Sequence, residues 1–151
     1  MPMKIITNYL DPKLCTFLGV KSRNEALQAL VEVTNTSGKI QNKEEFLQAL
    51  VNRETIVSTG IGMGVAIPHA KLSSYDDFFI TIGILDEGVD WDALDSAPVR
   101  IIFMIGGPDD KQTEYLQILS ELTMAIKNEE RRKKILTLKS AEAIIELFAN
   151  F

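Results

Sequence analysis

Apolar residues along this chain recur at two spacings, and each predicts a different element. Ala26, Leu27, Leu30 and Val31 fall on one face of a 3.6-residue period. Ser22 and Glu25 stand three apart just ahead of them. At that spacing a serine oxygen accepts from a free backbone N–H and a glutamate reaches back, so a helix is predicted to open there. Asn42 and Glu45 repeat the signal, and Phe46, Leu47 and Leu50 follow. A second helix is predicted to about Asn52, with Ser37-Gly38 as the turn between the two. Residues 78–85 (FFITIGIL) and 99–105 (VRIIFMI) are β-branched and aromatic, and apolar on both alternating faces. That pattern predicts strands covered on both sides. Between them, DEGVDWDALDSAP predicts a loop or small hairpin around Trp91.

Helical spacing returns afterwards. Tyr115, Ile118, Leu119, Leu122 and Ile126 mark the buried face of a long helix, with Asp109 or Asp110 as its expected cap. The charged run EERRKK (129–134) predicts the solvated side of a short helix leading to Ile135 and Leu136. Ser140 is placed to cap a last helix whose Ile144, Ile145, Leu147 and Phe148 face the core. The segment before the first long strand is different. Gly60, Gly62 and Gly64 fall within five residues, which disfavours helix. It predicts a short strand at 55–57, a glycine-rich loop, and a strand at 65–67 leading into Pro68-His69. Helices before and after sheet strands imply an α/β fold: one layered domain over residues 1–151, with a central mixed β-sheet flanked by helices.

Composition narrows the function. With 46% hydrophobic and 25% charged residues, the chain has the balance of an ordinary globular protein. A net charge of −5 argues against nucleic acid and suits an acidic protein that meets basic partners. Cys15 is the single cysteine, so no internal disulfide can form and a reducing cytoplasm is the simpler setting. The start, MPMKIITNYLDPK, lacks the apolar stretch of a signal peptide. The longest apolar runs are too short to cross a bilayer, so a membrane role would need a partner.

The candidate chemistry converges on His69, the single histidine. One histidine excludes a two- or three-histidine metal site within a subunit, and no metal or cofactor is implied. Gly60-Ile61-Gly62-Met63-Gly64 lacks the Gly-Lys-Ser/Thr ending of a P-loop. Pro68 fixes its own φ and biases Ile67 to extended geometry, so the backbone leading to His69 is stiff. Glycines allow close approach of backbone, and successive N–H groups in such loops can form an anion-binding nest. An imidazole that is partly neutral near pH 7 is a nucleophile able to attack phosphorus and later to leave. These features point to a phosphoryl acceptor, whose task is positioning and electrostatic stabilisation.

The run Arg53-Glu54-Thr55-Ile56-Val57-Ser58-Thr59-Gly60-Ile61-Gly62-Met63-Gly64-Val65-Ala66-Ile67-Pro68-His69-Ala70 resembles the active-site signature of enzyme IIA domains of the fructose/mannitol type. These belong to the phosphoenolpyruvate-dependent phosphotransferase system and include the nitrogen-related regulatory enzyme IIA. Residues 89–99 (VDWDALDSAPV) resemble a second landmark of that family. The resemblance implies a phosphoryl group carried on His69, with Arg53 beside it and the hydroxyls of Ser58 and Thr59 as donors to the phosphoryl oxygens. Gly60, Gly62, Gly64 and Pro68 would shape the loop. The family often has a second histidine at the start of the later helix. Here Tyr115 stands in its place, a hydroxyl donor that cannot carry a positive charge.

Three functions follow from the resemblance. One is a carrier that accepts phosphoryl from the histidine-containing phosphocarrier protein and passes it to enzyme IIB. The second is a regulatory protein whose phosphorylation state selects its target. The alternative is a protein-binding module that has lost phosphotransfer. Around His69 a shallow, partly apolar rim is expected, with Asp109, Asp110 and Glu114 facing basic residues of the donor.

Overall fold

Residues 5–149 are described by the structure, a computed structural model. The first helix starts where its cap spacing predicts. Ser22 is extended and its Oγ accepts from the N–H of Glu25 at 3.2 Å, opening α1 (Arg23–Thr36). Asn42 does the same for Glu45 at 3.0 Å, opening α2 (Lys43–Ile56). Satisfying an otherwise unpaired N–H in this way stabilises a helix by about 1 kcal/mol.

The strands are β1 (Cys15–Leu18), β2 (Gly60–Gly62), β3 (Val65–Ala66), β4 (His69–Lys71), β5 (Phe79–Val89) and β6 (Val99–Gly107). They form one mixed sheet in the order β1-β5-β6-β3-β2, with β4 also paired to β6. β5 and β6 are antiparallel, while β1 runs parallel to β5, and β3 and β4 run parallel to β6. Three helices follow: α3 (Gln112–Lys127), α4 (Glu129–Thr137) and α5 (Ala141–Ala149).

Alternation along the central strands creates two cores. Ile80, Ile82 and Ile84 of β5, with Ile101, Phe103 and Ile105 of β6, pack under α3, α4 and α5. Phe79 and Leu85, with Ile102 and Met104, point the other way and pack under α1 and α2. The double-sided apolar pattern thus corresponds to a sheet covered on both faces. Thr81, buried on the α1 side, shares a hydrogen bond of 2.6 Å with Thr34, so the inward hydroxyl is satisfied.

Local expectations fail in three places, and one strand, β1, was not expected. The expected strand at 55–57 does not form: α2 continues to Ile56 and only Val57 is extended. Ile56 and Val57 are β-branched but 78% and 53% exposed, so no sheet neighbour holds them. The glycine-rich segment is not an open loop. It folds as the β2–β3 hairpin, with Gly62, Met63 and Gly64 at φ of 98°, 61° and 75°. Neither Asp109 nor Asp110 caps α3, whose N-cap is Lys111 with no side-chain bond. Finally, the short β1 carries too few residues to show a period.

Candidate active site

Pro68 separates two short strands that both pair with β6, and His69 opens the second of them opposite Ile105. Strand alternation puts His69 and Lys71 on one face of β4 and buries Ala70 between the helices and strands of the other. The His69 ring lies against Tyr115 of α3, with centroids 5.6 Å apart and planes tilted by 51°. Lys71 Nζ sits 4.1 Å over the same Tyr115 ring and donates to Gln112 Oε1 at 3.0 Å. Phe78 stacks on Tyr115 at 6.1 Å. Histidine and tyrosine, 46 positions apart in sequence, are therefore neighbours across the β4–α3 contact.

The protonation of His69 follows from one contact. Its Nδ1 lies 3.1 Å from the carbonyl oxygen of Ile67. A carbonyl can only accept, so Nδ1 carries the proton and the lone pair of the neutral ring is on Nε2. Burial holds the imidazole below its ordinary pKa, and the charges of Arg53 and Lys71 push the same way. The Ile67 carbonyl and the Glu54 carboxylate oppose them. The net direction is down, so the ring is neutral at pH 7 and presents Nε2 as a nucleophile. Tyr115 is buried, and burial pushes its hydroxyl up to about 12, partly offset by Arg53. It stays protonated and can only donate or accept a hydrogen bond as a neutral group.

Arg53 occupies the last turn of α2, where a cation faces the negative end of the helix dipole. Its Nη1 donates to the carbonyl of Val57 at 2.7 Å. The guanidinium is close enough to influence both His69 and Tyr115 electrostatically. Histidine, arginine and tyrosine thus converge from β4, α2 and α3.

Ser58 and Thr59 do not join them as free donors. Ser58 donates to the carbonyl of Trp91 at 2.5 Å and accepts from the N–H of Gly60 at 3.0 Å. Thr59 is buried and donates its hydroxyl to Glu54. Both protons are therefore committed inside the protein, and the two residues brace the backbone ahead of the β2–β3 hairpin. The glycines likewise shape a hairpin in place of an anion nest. The Met63 N–H is donated to Asp95 Oδ2 at 3.0 Å, and the Gly64 carbonyl accepts from Arg100 and Ile101. Bonds from the Ala97 and Met63 N–H groups hold the Asp95 carboxyl below the usual carboxylate range.

Two participants were missed by the sequence reading. Lys71 was passed over because a lysine on a short strand gives no signal of its own. Glu54 is 4% exposed and accepts from Trp91 Nε1 at 2.8 Å, from the Thr59 N–H at 3.1 Å and from the Thr59 hydroxyl. It ties the end of α2, which carries Arg53, to the hairpin and to the 90–98 loop. Its place inside the signature beside Arg53 was the available clue. Among the described residues no group of three His, Cys, Asp or Glu side chains is placed to hold a metal ion. Among the described residues no helix is long and apolar enough to cross a membrane. Cys15 is buried, which pushes its thiol up to about 12 and removes it as a nucleophile.

Residues 8–151 match the model of a family described as "Phosphoenolpyruvate-dependent sugar phosphotransferase system, EIIA 2". The chain is similar to the fructose-specific EIIABC component of Bacillus subtilis, at 36% identity over 127 residues. That match covers 84% of this chain but only 20% of the longer relative. A nitrogen regulatory protein of Bradyrhizobium diazoefficiens is 30% identical over 146 residues, covering 95% of this chain and 94% of the relative. Among solved structures, the nitrogen regulatory protein IIA-Ntr of Neisseria meningitidis superposes with a TM-score of 0.89 at 25% identity, over 96% of this chain and 99% of the other. A fold with a mixed sheet covered on both faces, a neutral histidine at a sheet edge and a near-full-length family match agree: the chain belongs to the EIIA 2 family of the phosphoenolpyruvate-dependent sugar phosphotransferase system.

Proposed function

We propose that His69 is the residue on which this phosphotransferase component carries its phosphoryl group, through Nε2. The observation that carries the reading is the Nδ1 contact to the Ile67 carbonyl, which directs the ring's lone pair to Nε2. In the proposed transfer the Nε2 lone pair attacks phosphorus in the phosphohistidine of the phosphocarrier protein. A new N–P bond forms, the donor's N–P bond breaks, and its electrons return to the donor ring. The proton stays on Nδ1, hydrogen-bonded to the Ile67 carbonyl, throughout, so no proton need cross the interface. The ring becomes formally cationic on phosphorylation, and that carbonyl stabilises it. Arg53 and Lys71 supply the positive field that meets the phosphoryl oxygens. Tyr115 supplies a neutral surface against the ring and a hydroxyl donor in place of a second histidine.

Docking follows from the surroundings. Ile56, Val57 and Leu116 are large, apolar and more than half exposed, and each lies next in sequence to a site element. We assign them to the rim on which the phosphocarrier and the acceptor settle. The acceptor is an enzyme IIB or a regulated protein. The likeness to nitrogen regulatory proteins over nearly the whole of both chains favours the regulatory use. There, about two added negative charges would remake the docking face. Both uses place the carrier in the cytoplasm, where the donor is made.

The test is intact mass after incubation with phosphoenolpyruvate, enzyme I and the phosphocarrier, beside a His69→Ala control. One acid-labile phosphoryl increment, absent from the control, is expected. No increment with active donors would leave the chain as a binding module.

A further inference from the structure

Charge is unevenly distributed in this acidic chain. Residues 127–139 hold six lysines and arginines against two glutamates, a net of +4, while the rest of the chain carries −9. The cations are concentrated on α4, where Arg131, Arg132, Lys133 and Lys134 follow one another. A purely solvated face would need no groove beside it, yet α4 borders one. A cleft of about 340 Å³ runs between α4 and the tip of the β2–β3 hairpin. Met63, Pro98, Ile101 and Leu136 give it apolar walls, and Arg132 and Lys133 stand on its rim.

One rim cation, Arg132, is held in place by uncharged partners, and the other, Lys133, has only an exposed ion pair. Arg132 is half-buried, and its Nη1 donates to the Ile126 carbonyl at 2.6 Å and reaches Met63 Sδ at 3.4 Å. Those partners are uncharged, so the guanidinium is fixed across the groove with its charge intact. Lys133 pairs with Glu129 at 3.1 Å, one turn away, with both side chains two-thirds exposed. Such a pair is worth a few tenths of a kcal/mol and is readily exchanged for a better partner. Lys134 is exposed and meets no acceptor among the described residues.

The position separates this surface from His69. Val65 and His69 pair with Ile101 and Ile105 of β6, so the groove and the histidine lie four residues apart along that strand. That is about 13 Å at the usual strand rise. A partner seated on α4 leaves the Nε2 face open.

We propose that α4 and its groove form a second docking surface, for an acidic amphipathic segment of another protein. Its carboxylates would meet Arg132, Lys133 and Lys134, and its apolar side chains would cover Met63, Pro98 and Leu136. The cationic helix spans only nine residues, about 14 Å, which matches a short segment. An extended polyanion such as nucleic acid would run on into the −9 surface and be repelled.

The experiment uses the full chain and a fluorescein-labelled peptide of about fifteen residues, with glutamates interleaved with leucines at helical spacing. Fluorescence anisotropy should show saturable binding that weakens as salt rises. The double change Lys133→Glu with Lys134→Glu, both exposed, should weaken it roughly ten- to hundredfold while circular dichroism stays unchanged. His69→Ala should bind as the parent does, which makes the result independent of the phosphoryl reading. No saturable binding, or equal binding by the charge-reversed variant, would overturn the proposal. So would tighter binding of a DNA or RNA oligonucleotide of equal charge. Concentration-dependent self-association in sedimentation, lost in the reversed variant, would overturn it in favour of a second copy of this chain.

Discussion

Replacing Glu54 by glutamine should unfold the protein more easily and blunt the site at the same time. Two carboxylate oxygens of Glu54 take three donors, two from Thr59 and one from the Trp91 indole. A glutamine keeps one acceptor oxygen for the indole and the hydroxyl, but turns an amide NH₂ toward the Thr59 N–H. That N–H lies in a buried residue and would lose its acceptor. An orphaned buried donor costs about 1–3 kcal/mol, and the loss of charge assistance raises the estimate toward the upper end. A loss of about 2 kcal/mol corresponds to a fall in melting temperature of roughly 4–8 °C for a chain of this size. Glu54→Ala strands both Thr59 donors and leaves the Trp91 indole only the Thr59 hydroxyl oxygen at 3.2 Å, and should cost about 4 kcal/mol. Urea unfolding read by fluorescence is direct, because Trp91 is the single tryptophan and one of the three donors. Far-ultraviolet circular dichroism should give the same midpoint if unfolding is two-state. Because Glu54 raises the His69 pKa, the glutamine variant should also titrate lower at that histidine. A stability change under about 0.5 kcal/mol, the range of ordinary surface substitutions, would refute the account of Glu54 as the tie between α2, the hairpin and the Trp91 loop.

Other outcomes are equally specific. His69 titrates below its ordinary value of about 6.5 in the folded protein, so between 6.5 and that lower value the unfolded chain binds the extra proton. Stability should therefore fall as the pH drops through this window and level off above it, a slope that urea midpoints should show in the parent and not in His69→Gln. Arg53→Ala should slow phosphorylation by about ten- to a hundredfold, by removing a cation from the phosphoryl oxygens. Its stability should change by less than about 1 kcal/mol, since one exposed bond to Val57 is lost. Tyr115→His restores a group that can be protonated and should change the phosphohistidine lifetime or transfer rate in single-turnover measurements. If neither moves, Tyr115 is only packing between Phe78 and the His69 ring.

Most of the scaffold was legible because its signals are local. Ser22, Asn42 and Ser140 each accept a capping bond at the predicted helix start. The apolar runs in β5 and β6 suggest strands covered on both sides, and helices cover the sheet on both faces. Tyr115 lies against the His69 ring, and Arg53 is near enough to act on both electrostatically. What was not legible depends on three-dimensional partners. Ile56 and Val57 look like a strand, but exposure on the site rim explains their apolar character better than burial. Ser58 and Thr59 carry the right chemistry for a phosphoryl site, yet Ser58 donates to the carbonyl of Trp91, more than thirty residues away, and Thr59 donates to the buried Glu54. The glycine segment signals sharp backbone without saying whether its N–H groups face an anion or Asp95. Lys71 gains its place over Tyr115 only through the pairing of β4 with β6.

The most direct test of the central claim asks which nitrogen carries the phosphoryl group. With one histidine in the chain, a long-range ¹H–¹⁵N correlation spectrum of the phosphorylated protein needs no assignment between sites. The account requires phosphorus on Nε2 and a proton retained on Nδ1, where the Ile67 carbonyl accepts it. Phosphorus on Nδ1, or phosphorylated protein whose histidine spectrum is unchanged, would contradict it.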